Sequence, residues 1–221
     1  MNTEAIYQQA MDKYTHYASA EDLKEAIALF EQAKDCEGSE KYIQKCRTLI
    51  EYMVGNSVTF GSYQNKPIRW RVIDERGRMR MLLAEEPVAE RPYHEKPVDT
   101  SWRECSLRRW LNGEFLEAAF TPLERSKITA VRVENVRSPK YFTNAGLNTM
   151  DRVYVLSVPE AEKYLPEDAD RATGRWWWLR TPGSNLFSAV AVYDDGSIYD
   201  FGIHVHYENG GVRPVLWVLL K

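Results

Sequence analysis

Apolar residues recur at helical spacing along the first fifty residues of the chain. Leu23, Ala26 and Phe30 belong to the clearest stripe, and intervals of three and four residues place them on one face of a helix. A weaker stripe precedes it and another follows at residues 42–53. The pattern predicts three short helices that pack as hairpins, with N-caps at Ser19 and at the Gly38-Ser39 step. We assign this helical segment to residues 1–54.

The hydrophobic period changes to two from residue 57 onward. Residues 58–60, 68–73 and 79–83 alternate in the manner of strands, and Arg76 with Gly77 predicts a hairpin between the second and the third. Residues 86–100 contain three prolines and are predicted to form a loop.

Three capping signals predict short helices in the middle of the chain. Each places a hydroxyl residue three positions before a glutamate, which is the pattern of a capping box. The three pairs are Ser101 with Glu104, Thr121 with Glu124, and Ser157 with Glu160. Residues 153–156 are predicted to be a strand that precedes the last of these helices.

The last fifty residues return to strand patterns. The predicted strands cover residues 176–180, 189–193, 196–199, 203–207 and 212–218. The sequence Asp194-Asp195-Gly196 is a hairpin signal between two of them. Strands at both ends, joined by tight turns and separated by capped helices, favour an α+β domain with an antiparallel sheet. We assign this domain to residues 55–221.

Charge and cysteine content narrow the class of protein. The chain has 221 residues, with 29 Lys and Arg against 32 Asp and Glu, so broad nucleic acid binding is disfavoured. No apolar run approaches the ~20 residues of a membrane helix, and the start of the chain lacks a secretory pattern. Cys36, Cys46 and Cys105 form an odd set without a Cys-x-x-Cys pair, which excludes a disulfide framework. The sequence therefore predicts a cytoplasmic protein that engages neither nucleic acid nor membrane.

Several phrases occur in order along the second part of the chain. They are IRWRVI at 68–73, SW at 101–102, SLRRWLN at 106–112, DRVYVLS at 151–157, WWLRTPG at 177–183 and GGVRPVLW at 210–217. As an ordered set they resemble the bacterial DUF6273 family, over roughly residues 55–220. Members of that family often carry a helical N-terminal extension. The phrase EAIALF at residues 25–30 also resembles one repeat of the tetratricopeptide type.

The C-terminal phrases WLRTPG and GVRP also resemble C-type-lectin-like domains of the formylglycine-generating-enzyme type. Such folds recur as the variable proteins of diversity-generating retroelements. The resemblance implies a compact α+β domain whose C-terminal β region displays a ligand-binding face, and it makes that region a candidate for diversification. The enzymes of that type use paired cysteines near the C-terminus. Here the last cysteine is Cys105, so their activity is not carried over.

Four residues of the C-terminal phrases are interpreted as structural. Trp177 fills the core, Arg180 pairs inside the domain, and Gly183 turns the chain. Arg213 is interpreted as a clamp, because a buried guanidinium must be paired or hydrogen-bonded. Its available partners are backbone carbonyls and nearby acids. These acids are Asp194, Asp195, Asp200 and Glu208. Two alternatives remain open. The aromatic cluster stacks on a sugar or a peptide, or Arg213 binds a carboxylate of the ligand.

Strand alternation separates the residues between Ser184 and Asn209 into two sets. Val190, Val192, Ile198, Ile203 and Val205 are predicted to face the interior. The remaining set is rich in Tyr, Ser, Asn and Asp, a composition that suits adaptable recognition. The predicted ligand-binding residues are Ser188, Tyr193, Asp194, Tyr199, Asp200, Phe201, His204, His206, Tyr207 and Asn209.

His204 and His206 lie two residues apart on a predicted strand and therefore point to the same side. With Asp200 or Glu208 they have the geometry to seat a metal. No other spaced ligand set supports such a site, so we predict no metal and no cofactor.

We predict a non-enzymatic recognition protein that binds a protein or glycan partner through its C-terminal β face. The helical segment would serve docking or oligomerisation. The alternative is an enzyme, a hydrolase or an oxidase-like relative, with its site around Asp200, His204 and His206.

Overall fold

The computed structural model describes residues 2–220 of the chain. Its first fifty residues form three helices, which are α1 (Thr3–Thr15), α2 (Ala20–Gln32) and α3 (Ser39–Glu51). Ser19 caps α2 with the reciprocal hydrogen bonds of a capping box, and α3 follows Gly38 directly. The three helices predicted from the apolar stripes are therefore present.

The helices bury their aromatic side chains against one another. Phe30 is completely buried, with the ring of Tyr7 edge-on and the ring of Tyr42 stacked, each at 5.5 Å between centroids. Tyr14 meets Tyr42 edge-on at 5.1 Å. Phe30 thus lies at the centre of the segment, with half-buried tyrosines packed around it.

The rest of the chain alternates between strands and short helices. The strands are β1 (Ser57–Tyr63), β2 (Lys66–Arg76), β3 (Met79–Ala84), β4 (Ala89–Glu90), β5 (Ile128–Thr129), β6 (Val131–Val133), β7 (Thr149–Asp151), β8 (Val153–Tyr154), β9 (Trp177–Pro182), β10 (Ser188–Val192), β11 (Ile198–His204), β12 (Gly211–Val212) and β13 (Val215–Leu219). The helices are α4 (Ser106–Trp110), α5 (Leu116–Ala119), α6 (Pro122–Arg125), α7 (Val158–Tyr164) and α8 (Asp168–Arg171), with a π-helical turn (Leu111–Phe115) between α4 and α5.

Two sheets contain most of these strands. The first has the order β1-β2-β3-β13-β5, with β8 also paired to β13, and all of its pairs are antiparallel. The second has the order β11-β10-β9-β12-β4, with one parallel pair between β12 and β9. A separate pair joins β6 to β7. Helices combined with mainly antiparallel sheets confirm the predicted α+β class.

A buried arginine connects the helical segment to the first sheet. Arg80 on β3 is almost completely buried, and its Nε donates a hydrogen bond to the carbonyl oxygen of Tyr52 at 2.9 Å. Its guanidinium also forms an ion pair with Glu75 at 3.2 Å. The backbone N–H of Gly55 donates to the carbonyl of Val72 at 2.8 Å. The end of α3 is therefore held against β2 and β3 by polar contacts.

The capping boxes at Thr121 and Ser157 are present, but the one predicted at Ser101 is wrong. The helix begins at Ser106, and Cys105 is its N-cap. The cause is Trp102, which is buried and donates its indole N–H to Asp151 at 3.0 Å. A turn between Ser101 and Cys105 carries this side chain into the core, so the helix starts one turn later.

The two strands predicted at residues 196–199 and 203–207 are one strand, β11. The register between β10 and β11 shifts between Ala189 and Ala191, which marks a bulge. The strand ends at His204, and the chain turns immediately afterwards. A second departure is the short strand β4, which lies within the predicted loop of residues 86–100.

The three cysteines are free; Cys46 and Cys105 are buried, and Cys36 is half-buried. None of the helices within residues 2–220 combines the length and the apolar composition that crossing a bilayer requires.

Candidate ligand-binding cleft

The second sheet ends in β11, an edge strand that follows the hairpin at Asp194, Asp195 and Gly196. The backbone N–H and the hydroxyl of Ser197 both donate to the Asp195 carboxylate, and these two hydrogen bonds lower the pKa of Asp195. The hairpin predicted from sequence is therefore present and closed by its own polar groups.

Two glycines allow the backbone to pass closely behind the edge strand. A Cβ on Gly183 would lie 2.4 Å from the carbonyl oxygen of Phe201. Gly202 has a φ of +86°, and a Cβ there would lie 2.9 Å from both the carbonyl oxygen of Ala189 and the Cα of Gly183. Any larger side chain at either position would separate these strands. The two glycines thus fix the path of β11.

Arg180 supports the same sheet from inside. Its side chain is almost completely buried and forms an ion pair with Glu160 at the start of α7. It also donates to the backbone carbonyls of Val155 at 2.8 Å and Glu134 at 3.0 Å. Trp177, the first residue of β9, is completely buried. These contacts join β9 to the middle of the chain.

Arg213 is buried, with 4% of its surface exposed, but none of the four acids considered from sequence is its partner. Its Nε donates to the carbonyl oxygen of Ala84 at 2.7 Å, and its guanidinium lies 5.1 Å from the centre of the Trp177 ring. Burial lowers the pKa of Arg213 to about 10. The acids Asp194, Asp195, Asp200 and Glu208 are exposed or half-buried, so a buried guanidinium uses a carbonyl instead.

An open cleft of about 570 Å³ lies along β11 and the turn that follows it. Six of the ten residues predicted to bind a ligand line it. They are Tyr193, Tyr199, Phe201, His204, Tyr207 and Asn209. Trp176, Gly202 and Ile203 complete the lining. The cleft therefore has mainly aromatic walls.

The rings of the cleft form a connected row. Tyr193 and Tyr199 are stacked at 5.0 Å, and Tyr199 lies 6.3 Å from Phe201. Tyr141 meets Phe201 edge-on at 5.9 Å and extends the row beyond the cleft. Solvent reaches 37% of Tyr193, 51% of Phe201 and 50% of Tyr207. Partial burial and the neighbouring Tyr199 raise the pKa of Tyr193.

A second recess of about 400 Å³ continues from the cleft. It shares Trp176, Tyr193 and Asn209 with the cleft and adds charged residues. Asp194 and the ion-paired Arg175 and Glu90 line it. The aromatic surface is thus bordered by acidic groups on the side of the hairpin.

Four predicted residues lie outside the cleft lining, namely Ser188, Asp194, Asp200 and His206, and Asp194 lines the adjoining recess instead. Asp200 is half-buried and forms an ion pair with Lys140 at 3.6 Å. Ser188 is 4% exposed, so the prediction that it faces solvent is wrong. Its hydroxyl donates to the carbonyl oxygens of Asn185 and Phe201 and packs closely on Gly183, where a Cβ would lie 2.5 Å from the Ser188 Oγ.

His206 lies beyond the end of β11, so the two histidines do not share a strand as predicted. Its ring still packs near His204 at 5.8 Å, and Phe187 contacts both rings. Neither histidine is hydrogen-bonded to Asp200 among residues 2–220. The same residues contain no group of three His, Cys, Asp or Glu side chains placed to hold a metal.

Sequence reasoning missed two of the cleft's apolar residues. Ile203 was expected in the interior, yet it and Ile198 are half-buried, whereas Val190, Val192 and Val205 are fully buried. The bulge at Gly202 causes the difference, because it changes the alternation along β11. Trp176 begins the strand predicted at residues 176–180, so the sequence did draw attention to it. In the structure it immediately precedes β9, and its ring lies edge-on to Trp178 at 4.8 Å between centroids.

Residues 78–220 match the protein family described as "Domain of unknown function (DUF6273)". The match covers more than half of the chain, which therefore belongs to this family. It begins within the β2–β3 hairpin, although β1 and β2 pair in the same sheet as β3. No curated protein and no solved structure matches the chain.

Proposed function

We propose that this protein is a non-enzymatic recognition protein that binds a protein or glycan partner in the aromatic cleft. The observation that carries the proposal is the exposure of Tyr193, Phe201 and Tyr207 around one open cleft. Grouped exposed aromatic rings are typical of binding sites, whereas isolated ones are ordinary surface.

The exposed rings are a source of binding free energy. Covering the exposed part of one such ring contributes about 1–2 kcal/mol at roughly 25 cal/mol per Å². A Tyr or Phe side chain has only two torsions, so little conformational entropy is lost when it is fixed. The hydroxyls of Tyr193 and Tyr207 and the amide of Asn209 supply polar contacts at the rim.

The proposal includes a finer fold assignment, namely a C-type-lectin-like domain preceded by a tetratricopeptide-like helical segment. A C-type-lectin-like domain would present its ligand at the C-terminal β region, and the cleft lies on β11 and the turn after it. The helices α1 to α3 would act as a tetratricopeptide-like docking or oligomerisation segment. A cytoplasmic location fits the free cysteines. Diversification of residues 184–209 by a retroelement would require a near-identical template repeat and a reverse-transcriptase gene beside the locus.

A binding role is proposed rather than catalysis because of the contacts of the polar residues. Asp200 is engaged by Lys140, and His204 packs against Phe187 and Tyr207. In an activated catalytic pair, the nucleophile and its base lie within hydrogen-bond reach of each other. The described residues around the cleft provide no such pair between Asp200 and a histidine.

The test uses the purified full chain on a printed glycan array and on a peptide array. The wild type is compared with a Tyr193→Ala/Phe201→Ala variant and with Phe142→Ala as a matched control. Phe142 is 73% exposed and lies outside the cleft. Thermal unfolding checks that all three proteins are folded.

We expect the double variant to lose the array signals and Phe142→Ala to keep them. Equal signals from the wild type and the folded double variant would contradict the proposal. The proposal would also be contradicted by turnover of a screened substrate, if that turnover is lost when Asp200, His204 and His206 are substituted.

A further inference from the structure

Resting on the proposed function, we infer that the group bound in the cleft is the cationic side chain of a lysine or arginine in a basic segment of a partner protein. Two independent properties of the cleft carry this inference. The first is its aromatic lining, and the second is the distribution of charge around it.

Aromatic faces attract cations through the negative potential of the ring. Elsewhere in this protein such contacts are already filled, with Arg91 at 4.6 Å from the Trp110 ring and Arg213 at 5.1 Å from the Trp177 ring. Among residues 2–220 no lysine or arginine lies over Tyr193, Phe201 or Tyr207. These solvent-exposed rings therefore remain available to a cation from another molecule.

The charge around the cleft has the complementary sign. Two cations lie near it, but Arg175 in the adjoining recess is ion-paired with Glu90, and Lys140 is ion-paired with Asp200. Residues 181–220 contain one lysine or arginine, Arg213, and it is buried beneath the sheet against Trp177. The same stretch contains four acids, of which only Asp200 has an ion-pair partner in the described structure. The other three are Asp194, Asp195 and Glu208. Acidic groups beside an apolar wall attract a cation more strongly than the same groups surrounded by water, because the wall lowers the local dielectric constant.

The shape of the cleft suits a long basic side chain. It is open to solvent and joins the recess that contains Asp194. The aliphatic stem of lysine or arginine can lie against Phe201 and Ile203 while its charged end remains near the acids. A neutral sugar could stack on the aromatic rings but would gain nothing from the acidic groups. An anionic group would be repelled by them.

The experiment uses two pairs of synthetic peptides and the uniformly ¹⁵N-labelled full chain at low ionic strength. One pair is acetyl-Gly-Gly-Arg-Gly-Arg-Gly-Gly-amide and its citrulline analogue. The other pair replaces arginine by lysine and by acetyl-lysine. Each pair keeps the length and changes the charge. Amide resonances of Gly202, Ile203 and Asn209 report on occupation of the cleft, because these residues line it.

We expect saturable shifts at these amides with the charged peptides and at least about fivefold weaker binding of the neutral analogues. Tyr193→Ala and Asp194→Asn should each weaken binding about threefold or more, and 0.5 M salt should weaken it further. The matched controls are Phe142→Ala and Asp35→Asn, an exposed acid beyond α2. Both should bind as the wild type does.

Equal binding of charged and neutral peptides would overturn the inference, as would binding unaffected by Tyr193→Ala and Asp194→Asn. A glycan signal that depends on the cleft, without peptide binding, would overturn the inference and leave the proposed function standing. Array signals that survive in the Tyr193→Ala/Phe201→Ala variant would instead overturn the proposed function itself.

Discussion

The helical segment and the C-terminal cleft contain the same types of aromatic residue in opposite situations. In α1 to α3 the rings of Tyr7, Phe30 and Tyr42 face one another and close the interior. Along β11 the rings of Tyr199 and Phe201 lie beside one another and remain open to solvent. Aromatic content alone therefore does not distinguish a core from a binding surface.

The difference follows from what lies opposite each cluster. In the helical segment α2 packs against both α1 and α3, so the apolar stripe with Phe30 is covered by neighbouring helices. The edge strand β11 has β10 on one side and no strand on the other. Its aromatic residues lie at the boundary of the fold, where Tyr141 contacts Phe201 from one side and the rest of the cleft stays open. Packing stabilises the first region, and an external partner would stabilise the second.

The largest expected effect on stability is in the helical segment. Phe30→Ala should lower the free energy of unfolding by about 3–5 kcal/mol, because a completely buried ring is replaced by a cavity. Chemical denaturation of the purified chain measures the loss. Phe142→Ala serves as the control and should change it by less than about 0.5 kcal/mol. A loss below about 1 kcal/mol for Phe30→Ala would show that the aromatic residues of the helices do not form a core.

The sequence predicted the helical segment better than the cleft for a physical reason. An amphipathic stripe such as Leu23, Ala26 and Phe30 indicates both the helix and its buried face. Alternation along a strand is reliable only while the register is regular. The bulge at Gly202 therefore turned the predicted interior residue Ile203 into part of the cleft.

Other features of the site depend on contacts that are distant in sequence. Burial of Ser188 follows from the contacts of its hydroxyl with Gly183 and with the backbone of Phe201, and no local pattern predicts them. The carbonyl of Ala84 as partner of Arg213 joins residues 129 positions apart. The exposed tyrosines were accessible to sequence reasoning, because Tyr193 precedes a hairpin signal and hairpin ends lie at the surface.

The next expected effect concerns the ion pair behind the cleft. Glu160→Gln should lower the free energy of unfolding by about 2 kcal/mol, because Arg180 then keeps a buried charge without its acidic partner. The partial exposure of Glu160 makes the loss smaller than for a fully buried pair. Chemical denaturation measures it, with Glu162→Gln, an exposed neighbour, as the control. Equal stability of the two variants would mean that the guanidinium is satisfied by its backbone carbonyls alone.

A smaller, pH-dependent contribution is expected from His94, which supports the turn after β11. Its backbone N–H donates to the carbonyl of Val205 at 2.7 Å, and its Nδ1 accepts from the N–H of Ser106 at 3.1 Å. Burial, followed by the charge of Arg109, lowers the pKa of His94 below its usual 6.5. Its stabilising contribution is then complete above pH 6.5 and is lost as the pH falls through the lowered value.

The measurement compares the wild type with His94→Asn, whose Oδ1 occupies about the position of the Nδ1 and can still accept the Ser106 hydrogen bond. Between pH 7.5 and pH 5 the wild type should lose more free energy of unfolding than the variant, by less than about 1 kcal/mol. Parallel pH profiles for the two proteins would show that His94 does not titrate differently in the folded and unfolded states.

The last expected effect is at the cleft, and it separates the two regions most sharply. Phe201→Ala should lower the free energy of unfolding by about 1 kcal/mol, well below the loss for Phe30→Ala, since half of the ring is already exposed. The same substitution should weaken ligand binding by about tenfold, because it removes one wall of the cleft. Denaturation and peptide titration on one sample of each protein measure both quantities. A loss of stability comparable to that of Phe30→Ala would mean that Phe201 belongs to a core after all, and the contrast between the two aromatic clusters would fail.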